Sequence, residues 1–235
     1  MPEEELLTII CDTARYNAKF LKENYPEVLE VCEEFGLVAL NEWFVRYFLY
    51  SGLAEEEFGE SVMVSFLLHT LAPQSTYLCV PILHGAVNSA YLTLRNFVEG
   101  VIDALYADVM LRGRSFEERI NALRGVSLCK LINRLKDVIG EDTADKARRV
   151  WDEASNRLHA VVSKKGDGII PLAVKYIEKY GGPPTYQAIP LPSKYELEDV
   201  DLDELKKLKE CIILTKEVVE KVLKVWHEKV TARSV

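Results

Sequence analysis

Apolar residues recur every three or four positions along nearly the whole chain of 235 residues. This spacing matches the period of an α-helix, because it places the apolar side chains on one side of the helix. No run of alternating apolar and polar residues, the pattern of a half-buried strand, stands out. The sequence therefore predicts an all-α protein built as a helical bundle.

Two predicted helices are longer than the others. The first covers about residues 77–111 and is the most apolar stretch, so we expect it to be buried at the centre of the fold. The second is a C-terminal amphipathic helix that an acidic capping sequence starts at Asp201. The predicted domains are a bundle over 1–180, a Pro/Gly-rich strap over 181–200, and the helix over 201–235, packed on the bundle or on a partner.

Local signals predict where the shorter helices begin and end. Gly36 is expected to end a short helix and Pro73 to follow the end of a helix over 55–71, because glycine and proline interrupt helices. Ser115 and Glu118 have the spacing of a capping box, in which each side chain bonds to the other residue's backbone N–H. A helix is therefore expected to start at Ser115.

Charge and composition restrict the partners and the compartment. Lys and Arg number 29 against 37 Asp and Glu, a net charge of -8 that argues against broad binding to DNA or to an acidic membrane surface. The apolar stretch contains polar residues and is followed by Arg95, so it is not expected to span a membrane. Five scattered cysteines without a C-x-x-C pair, and a start without a signal-peptide pattern, favour a cytoplasmic protein. Abundant Glu and Lys with two Gln are typical of heat-adapted proteins.

Motifs for metals and nucleotide cofactors are missing from the sequence. H-E-x-x-H, paired C-x-x-C, the P-loop and G-x-G-x-x-G do not occur. A di-iron bundle needs Glu-x-x-His pairs, and none of the four histidines has a Glu three residues before it. We therefore predict no metal and no cofactor.

Polar residues follow one side of the predicted central helix. They are spaced by three or four residues and comprise His84, Asn88, Tyr91, Arg95, Glu99 and Asp103. An unpaired charge in a buried helix costs several kcal/mol. We expect these side chains to pair with one another, to pair with another helix or to line a wet cleft.

A second polar stripe lies on the helix predicted to start at Thr143. Its members have the same spacing and are Arg148, Asp152, Ser155 and His159. If the two helices lie side by side, His159 reaches Arg95 or Glu99. A histidine near a carboxylate can act as acid or base at neutral pH, and an arginine can hold a phosphate. The stripes thus form a buried network, a binding cleft or a catalytic site.

The two stripes include a recognisable pattern. The segment YLTLRNFVE over residues 91–99, followed by residues 151–160 with Ser155 and His159, resembles the helical HEPN superfamily over about residues 77–162. The resemblance implies an antiparallel bundle, often dimeric, and in active members metal-independent cleavage of RNA in defence or toxin systems. Active members carry an Arg and a His on one helix with four to six residues between them, whereas Arg149 and His159 have nine between them. Many relatives are binding modules.

The predicted function is therefore a HEPN-like module that binds a ligand, RNA or a nucleotide, without a metal. As an endoribonuclease it would use His159 as acid or base, Arg95 to steady phosphate and Glu99 to orient the histidine. The remaining residues of the site would bind ligand: His84, Asn88, Tyr91, Arg148, Asp152 and Ser155. The alternative is a protein-interaction or structural module that pairs with a second copy or a partner protein through the apolar seam of its C-terminal helix, from Leu205 to Val230.

Overall fold

The computed structural model describes residues 3–158, 194–195 and 202–231. These ranges are almost entirely helical and contain no strand. They form a packed bundle with a long buried central helix and a long C-terminal helix, which confirms the predicted fold class. Within them, no helix is long and apolar enough to cross a membrane.

The first part of the chain forms two long helical stretches. Helix α1 is Glu3–Asn24, and helix α2 is Pro26–Val38, continued by the wider π-helical turns of Ala39–Leu49. The prediction that Gly36 ends a helix is wrong, because the helix passes through it. A Cβ atom at Gly36 would lie 3.1 Å from the backbone oxygen of Ser75, so this glycine permits close helix packing instead of a turn.

The predicted helix over 55–71 is divided and extended. Helix α3 is Glu55–Glu60 and α4 is Val62–Phe66, which continues through π-helical Leu67–Leu71 into α5, Ala72–Thr76. Ser61 separates α3 from α4 with a ψ of 125°, and its hydroxyl accepts the Val64 N–H as a cap. Pro73 lies in the first turn of α5 and does not end the helical run, so the predicted end was also wrong.

The central helix is shorter than predicted. Helix α6 is Cys79–Leu83, and α7 is Val87–Leu105 with a π-helical continuation, Tyr106–Met110. Gly85 has a φ of 72°, a conformation that favours glycine, and it breaks the expected helix. His84 therefore lies at the end of α6, before the turn, whereas the rest of its predicted stripe lies on α7.

The second half of the bundle follows the sequence signals more closely. Helix α8, Phe116–Leu123, starts with the predicted capping box of Ser115 and Glu118, in which both bonds form. Helix α9 is Leu128–Ile139, and Gly140, with a φ of 88°, separates it from α10, Glu141–Leu158. Of these helices, α9 and α10 pack against α7, and α8 packs against its π-helical continuation.

The C-terminal helix α11, Leu202–Thr231, lies in the bundle, where it packs against α2, α7 and α10. The residues of its predicted apolar seam are all buried: Leu205, Leu208, Ile212, Val219, Val222, Trp226 and Val230. The apolar surface that suggested pairing with another copy is therefore covered within one chain.

Two residues of the predicted strap are described, Lys194 and Tyr195, and Tyr195 bonds to the bundle. The backbone N–H of Tyr195 donates to Asn17 Oδ1 at 2.9 Å, and its hydroxyl donates to the Ile82 carbonyl at 2.6 Å. Asn17 Nδ2 in turn donates to the Leu83 carbonyl at 2.8 Å. The Ile82 and Leu83 carbonyls at the end of α6 thus accept hydrogen bonds from distant parts of the chain. The other strap residues lie outside the described ranges.

Candidate functional site

A polar cluster joins α7 to α10 at the centre of the bundle. Glu99 Oε1 accepts two hydrogen bonds, from Arg95 Nε at 2.9 Å and from Trp151 Nε1 at 2.5 Å. The Arg95 guanidinium carbon lies 5.2 Å from the centre of the Trp151 ring, within the range of a cation–π contact. We call Arg95, Glu99, Asp103 and Trp151 the Arg95 cluster.

The sequence explains how these side chains come to one face. Arg95, Glu99 and Asp103 are four residues apart, so they lie above one another on α7. The other side of α7 is apolar and almost completely buried. On α10, the buried small residues Ala147 and Ala154 allow that helix to approach closely on either side of Trp151. Packing of α10 on α7 thus brings the indole N–H to the carboxylate.

The cluster is neither dry nor fully solvated. The side chains of Arg95 and Glu99 are 23% and 32% exposed, and Trp151 is half-buried. An ion pair in such a position is screened less than a surface pair. Both side chains are still partly open to solvent, so the cluster can meet a ligand.

Asp103 adds a group that titrates near neutrality. Burial, and secondarily the negative charge of Glu99, raises the pKa of Asp103 from its ordinary value of 3.8 to about 7. At neutral pH this side chain can therefore donate a hydrogen bond as an acid or accept one as a carboxylate.

The predicted residues of α10 separate into different environments. Ser155 is buried one turn beyond Trp151, and its hydroxyl has no hydrogen-bond partner among the described residues. Arg148 binds Asp145 at 2.6 Å and Asn133 at 2.5 Å, and Asp152 is exposed. His159 lies outside the described residues. The hypothesis that it meets Arg95 or Glu99 therefore stays a prediction.

The first three residues of the predicted α7 stripe do not make the contacts of the cluster. His84 bonds through Nδ1 to the Val80 carbonyl at 2.9 Å, and its buried Nε2 has no partner within the described ranges. Asn88 is exposed. Tyr91 is fully buried, and its hydroxyl is directed to the Glu204 carbonyl of α11, 3.4 Å away.

Sequence reasoning missed a second polar group, which surrounds the buried carboxylate of Asp108 on the π-helical turns after α7. Five donors surround it at 2.6 to 3.0 Å: the Ser61 hydroxyl, the Val62 and Met63 backbone N–H groups, Arg119 and the Trp226 indole. We call these residues the Asp108 network. Only an aspartate within an apolar run signalled it in the sequence.

Trp151 was also missed as a member of the site, since its spacing indicates a core residue. The signal that was present is chemical, because a buried indole N–H usually finds an acceptor. In the described ranges, no group of three or more His, Cys, Asp and Glu side chains could hold a metal ion.

Comparison with known proteins adds no relative to these observations. The chain matches no family model, no curated protein and no solved structure. The fold defines the chain as an all-α bundle, and its function has to be argued from its own side chains.

Proposed function

We propose that this chain is a HEPN-like helical module that binds RNA or a nucleotide at the Arg95 cluster. One observation carries the proposal: the Arg95 guanidinium is fixed by Glu99 and lies over Trp151, and the Arg95 side chain is still 23% exposed. A guanidinium fits the oxygens of a phosphate, and an aromatic ring can stack against a base. A group that can bind phosphate and a ring that can stack on a base are thus in contact.

The cluster is also suitably prearranged. Glu99 takes the Nε proton of Arg95, and within the described ranges the terminal nitrogens of that guanidinium have no carboxylate partner. Because Trp151 bonds to the same Glu99 oxygen, the indole and the guanidinium are held in one geometry. A side chain that is already fixed loses less entropy when a ligand binds.

The net charge of -8 limits the form of binding. Such a chain does not attract nucleic acid over its whole surface, so affinity has to come from a few contacts. The logarithm of the binding constant should then fall with the logarithm of salt concentration by roughly 0.7 for each phosphate contacted on a single strand. A shallow slope of about one to two distinguishes a local site from general attraction.

Tryptophan fluorescence can test the location of the site. Trp43 and Trp226 are 2% and 0% exposed, whereas Trp151 is half-buried. We expect single-stranded RNA of about 20 nucleotides to quench the fluorescence of the wild-type chain through stacking on Trp151. The Trp151→Phe variant should fold and show no saturable quenching. Equal quenching in both proteins would place the ligand elsewhere.

Binding of fluorescently labelled RNA, followed by anisotropy, tests the role of charge. Arg95→Ala should weaken binding about tenfold, and Arg95→Lys should recover only part of the loss because lysine lacks the planar fork. Arg149→Ala is the matched control. Arg149 lies on α10 and its side chain is 69% exposed, so this substitution removes the same charge outside the cluster. If Arg95→Ala and Arg149→Ala bind equally well, the cluster is only a structural link between α7 and α10.

The same labelled RNA tests the catalytic form of the proposal. In that form His159 transfers the proton, Arg95 steadies the phosphate and Glu99 orients the histidine. Products on a denaturing gel should appear with the wild type and be lost with His159→Ala. RNA that stays intact with the wild type rejects the ribonuclease and leaves the binding module in place.

The alternative function, pairing through the C-terminal helix, has less support. Its apolar seam is buried against α2, α7 and α10 of the same chain. Dimer formation through another surface stays a prediction, and light scattering of the full chain over a range of concentrations tests it.

A further inference from the structure

A cavity of about 320 Å³ lies beside the Asp108 network, at the end of the bundle opposite the start of α7. The charged residues that line it are three arginines and three carboxylates: Arg112, Arg114, Arg119, Glu57, Glu60 and Asp108. Along α7, Arg95 is 13 residues before Asp108, about 20 Å at 1.5 Å per residue. This cavity is thus separate from the Arg95 cluster, and the inference below does not depend on the proposed function.

Arg119 is the buried part of the cavity wall. Its side chain is 7% exposed, and its terminal nitrogens donate to Asp108 at 2.8 Å and to the Glu60 carbonyl at 2.5 Å. Its Nε is buried and has no partner among the described residues. Because this nitrogen is closed off from solvent, Arg119 belongs to the wall of the cavity and does not offer its Nε to a ligand there.

The loop before α8 brings the other two arginines to the same cavity. Gly113 has a φ of 96°, which only glycine adopts easily, and this turn sets Arg112 and Arg114 on either side of it. Arg112 pairs with Glu57 at 2.7 Å, and both side chains are about one third exposed. Arg114 is exposed and forms no ion pair within the described part of the chain.

The charged groups around the cavity differ in how firmly they are held by their present partners. Asp108 neutralises Arg119 and is itself saturated by five donors, so neither can be exchanged without loss of the fold. The pair of Glu57 and Arg112 is partly exposed, and Glu60 is 59% exposed and 3.8 Å from Arg119. An incoming anion can therefore take Arg112 from Glu57 and add Arg114.

We propose that this cavity binds a phosphate group, either inorganic phosphate or the end of a small phosphomonoester. Guanidinium forks match the oxygens of a tetrahedral phosphate, and Arg112 and Arg114 bring two of them to the cavity. Ligand cavities usually occupy about 300 to 1,000 Å³, so 320 Å³ suits a phosphate with a small organic residue. Because the phosphate has to displace Glu57 from Arg112, we expect its affinity to be modest.

Isothermal titration of the full chain tests the proposal, with inorganic phosphate and ribose 5-phosphate as ligands and sodium chloride at the same ionic strength as reference. We expect saturable heats of binding in the titration. In thermal melts, phosphate should raise the melting temperature and chloride should not. Tighter binding of the ester than of phosphate identifies a phosphomonoester as the ligand, and equal or weaker binding identifies inorganic phosphate.

Two substitutions have opposite expected effects. Arg114→Ala should weaken phosphate binding about fivefold or more, since it removes the unpaired cation. Glu57→Gln should tighten it several-fold, because it removes the competing carboxylate. Arg124→Ala is the control, since Arg124 is an exposed residue at the end of α8 that does not line the cavity.

Two results would overturn the inference. If phosphate and chloride have the same effect at equal ionic strength, solvent alone fills the cavity. If Arg114→Ala and Arg124→Ala bind phosphate equally, the ion is attracted by general charge and not by this site. Arg119 is left intact in both experiments because its loss would disturb the Asp108 network.

Discussion

The Asp108 network and the Arg95 cluster use the same three groups, a carboxylate, a guanidinium and an indole N–H, in two different environments. Asp108 and the side chain of Arg119 are 4% and 7% exposed, and the carboxylate receives five hydrogen bonds. Glu99 is 32% exposed, and only one of its oxygens is engaged by Arg95 and Trp151. The carboxylate of Asp108 is saturated, whereas that of Glu99 has acceptor capacity left.

This difference separates a structural role from a binding role. The saturated carboxylate of Asp108 ties the start of α4 to α8 and α11, and none of its bonds can be exchanged for a ligand. The partly exposed pair on α7 can change partners at low cost. Exposure and unused hydrogen-bonding capacity, more than residue type, thus mark the Arg95 cluster as the candidate site.

The largest expected effect comes from breaking the Asp108 network. Asp108→Ala should lower the free energy of unfolding by about 3–5 kcal/mol, because it leaves the Arg119 charge and several donors buried without an acceptor. Glu99→Ala should cost about 1 kcal/mol or less, since its partners can turn to water. Urea unfolding followed by circular dichroism measures both. Equal losses would show that the two clusters do not differ as proposed.

The next largest effect is expected in the pH dependence of the free energy of unfolding, through Asp103 of the Arg95 cluster. With a folded pKa of about 7 against an ordinary 3.8, the proton on Asp103 favours the folded state. Its contribution is complete below about pH 3.8 and is lost as pH rises through about 7, by at most about 1.4 kcal/mol per pH unit.

Thermal melts at about pH 5 and about pH 8 check this sign. Asp103→Asn imitates the protonated side chain in both the folded and the unfolded state, so the variant should already melt above the wild type near the lower pH, and its advantage should be larger near the higher one. Asp152→Asn, which alters an exposed carboxylate on α10, is the control and should follow the wild type. Parallel curves for wild type and Asp103→Asn would contradict the raised pKa.

Local patterns explain which parts of the fold could be predicted from the sequence. Helix class, the seam of α11 and the capping box at Ser115 depend on residues a few positions apart, and each was predicted correctly. Glycines were ambiguous, because Gly36 lies inside a helix while Gly85 breaks one. Their roles depend on which distant backbone approaches them, as Ser75 approaches Gly36.

The same reason limits prediction of the site. The pair of Arg95 and Glu99 follows from their spacing on one helix. The contribution of Trp151 depends on the rotation of α10 against α7, which periodicity does not fix. The Asp108 network is harder still to predict from the sequence, since Ser61, Arg119 and Trp226 approach Asp108 from three separate parts of the chain.

The smallest expected effect concerns Ser155, which tests whether the Arg95 cluster has unused polar capacity beside it. Its buried hydroxyl has no partner among the described residues, so Ser155→Ala should leave the free energy of unfolding unchanged or raise it by up to about 1 kcal/mol. Thr215→Val is a contrasting variant, because the Thr215 hydroxyl donates to the Cys211 carbonyl at 2.7 Å and its removal should cost about 1 kcal/mol. Urea unfolding of both variants measures the two changes in the free energy of unfolding. A loss of stability in Ser155→Ala as large as in Thr215→Val would mean that the hydroxyl is already engaged, and would remove it from the groups available to a ligand.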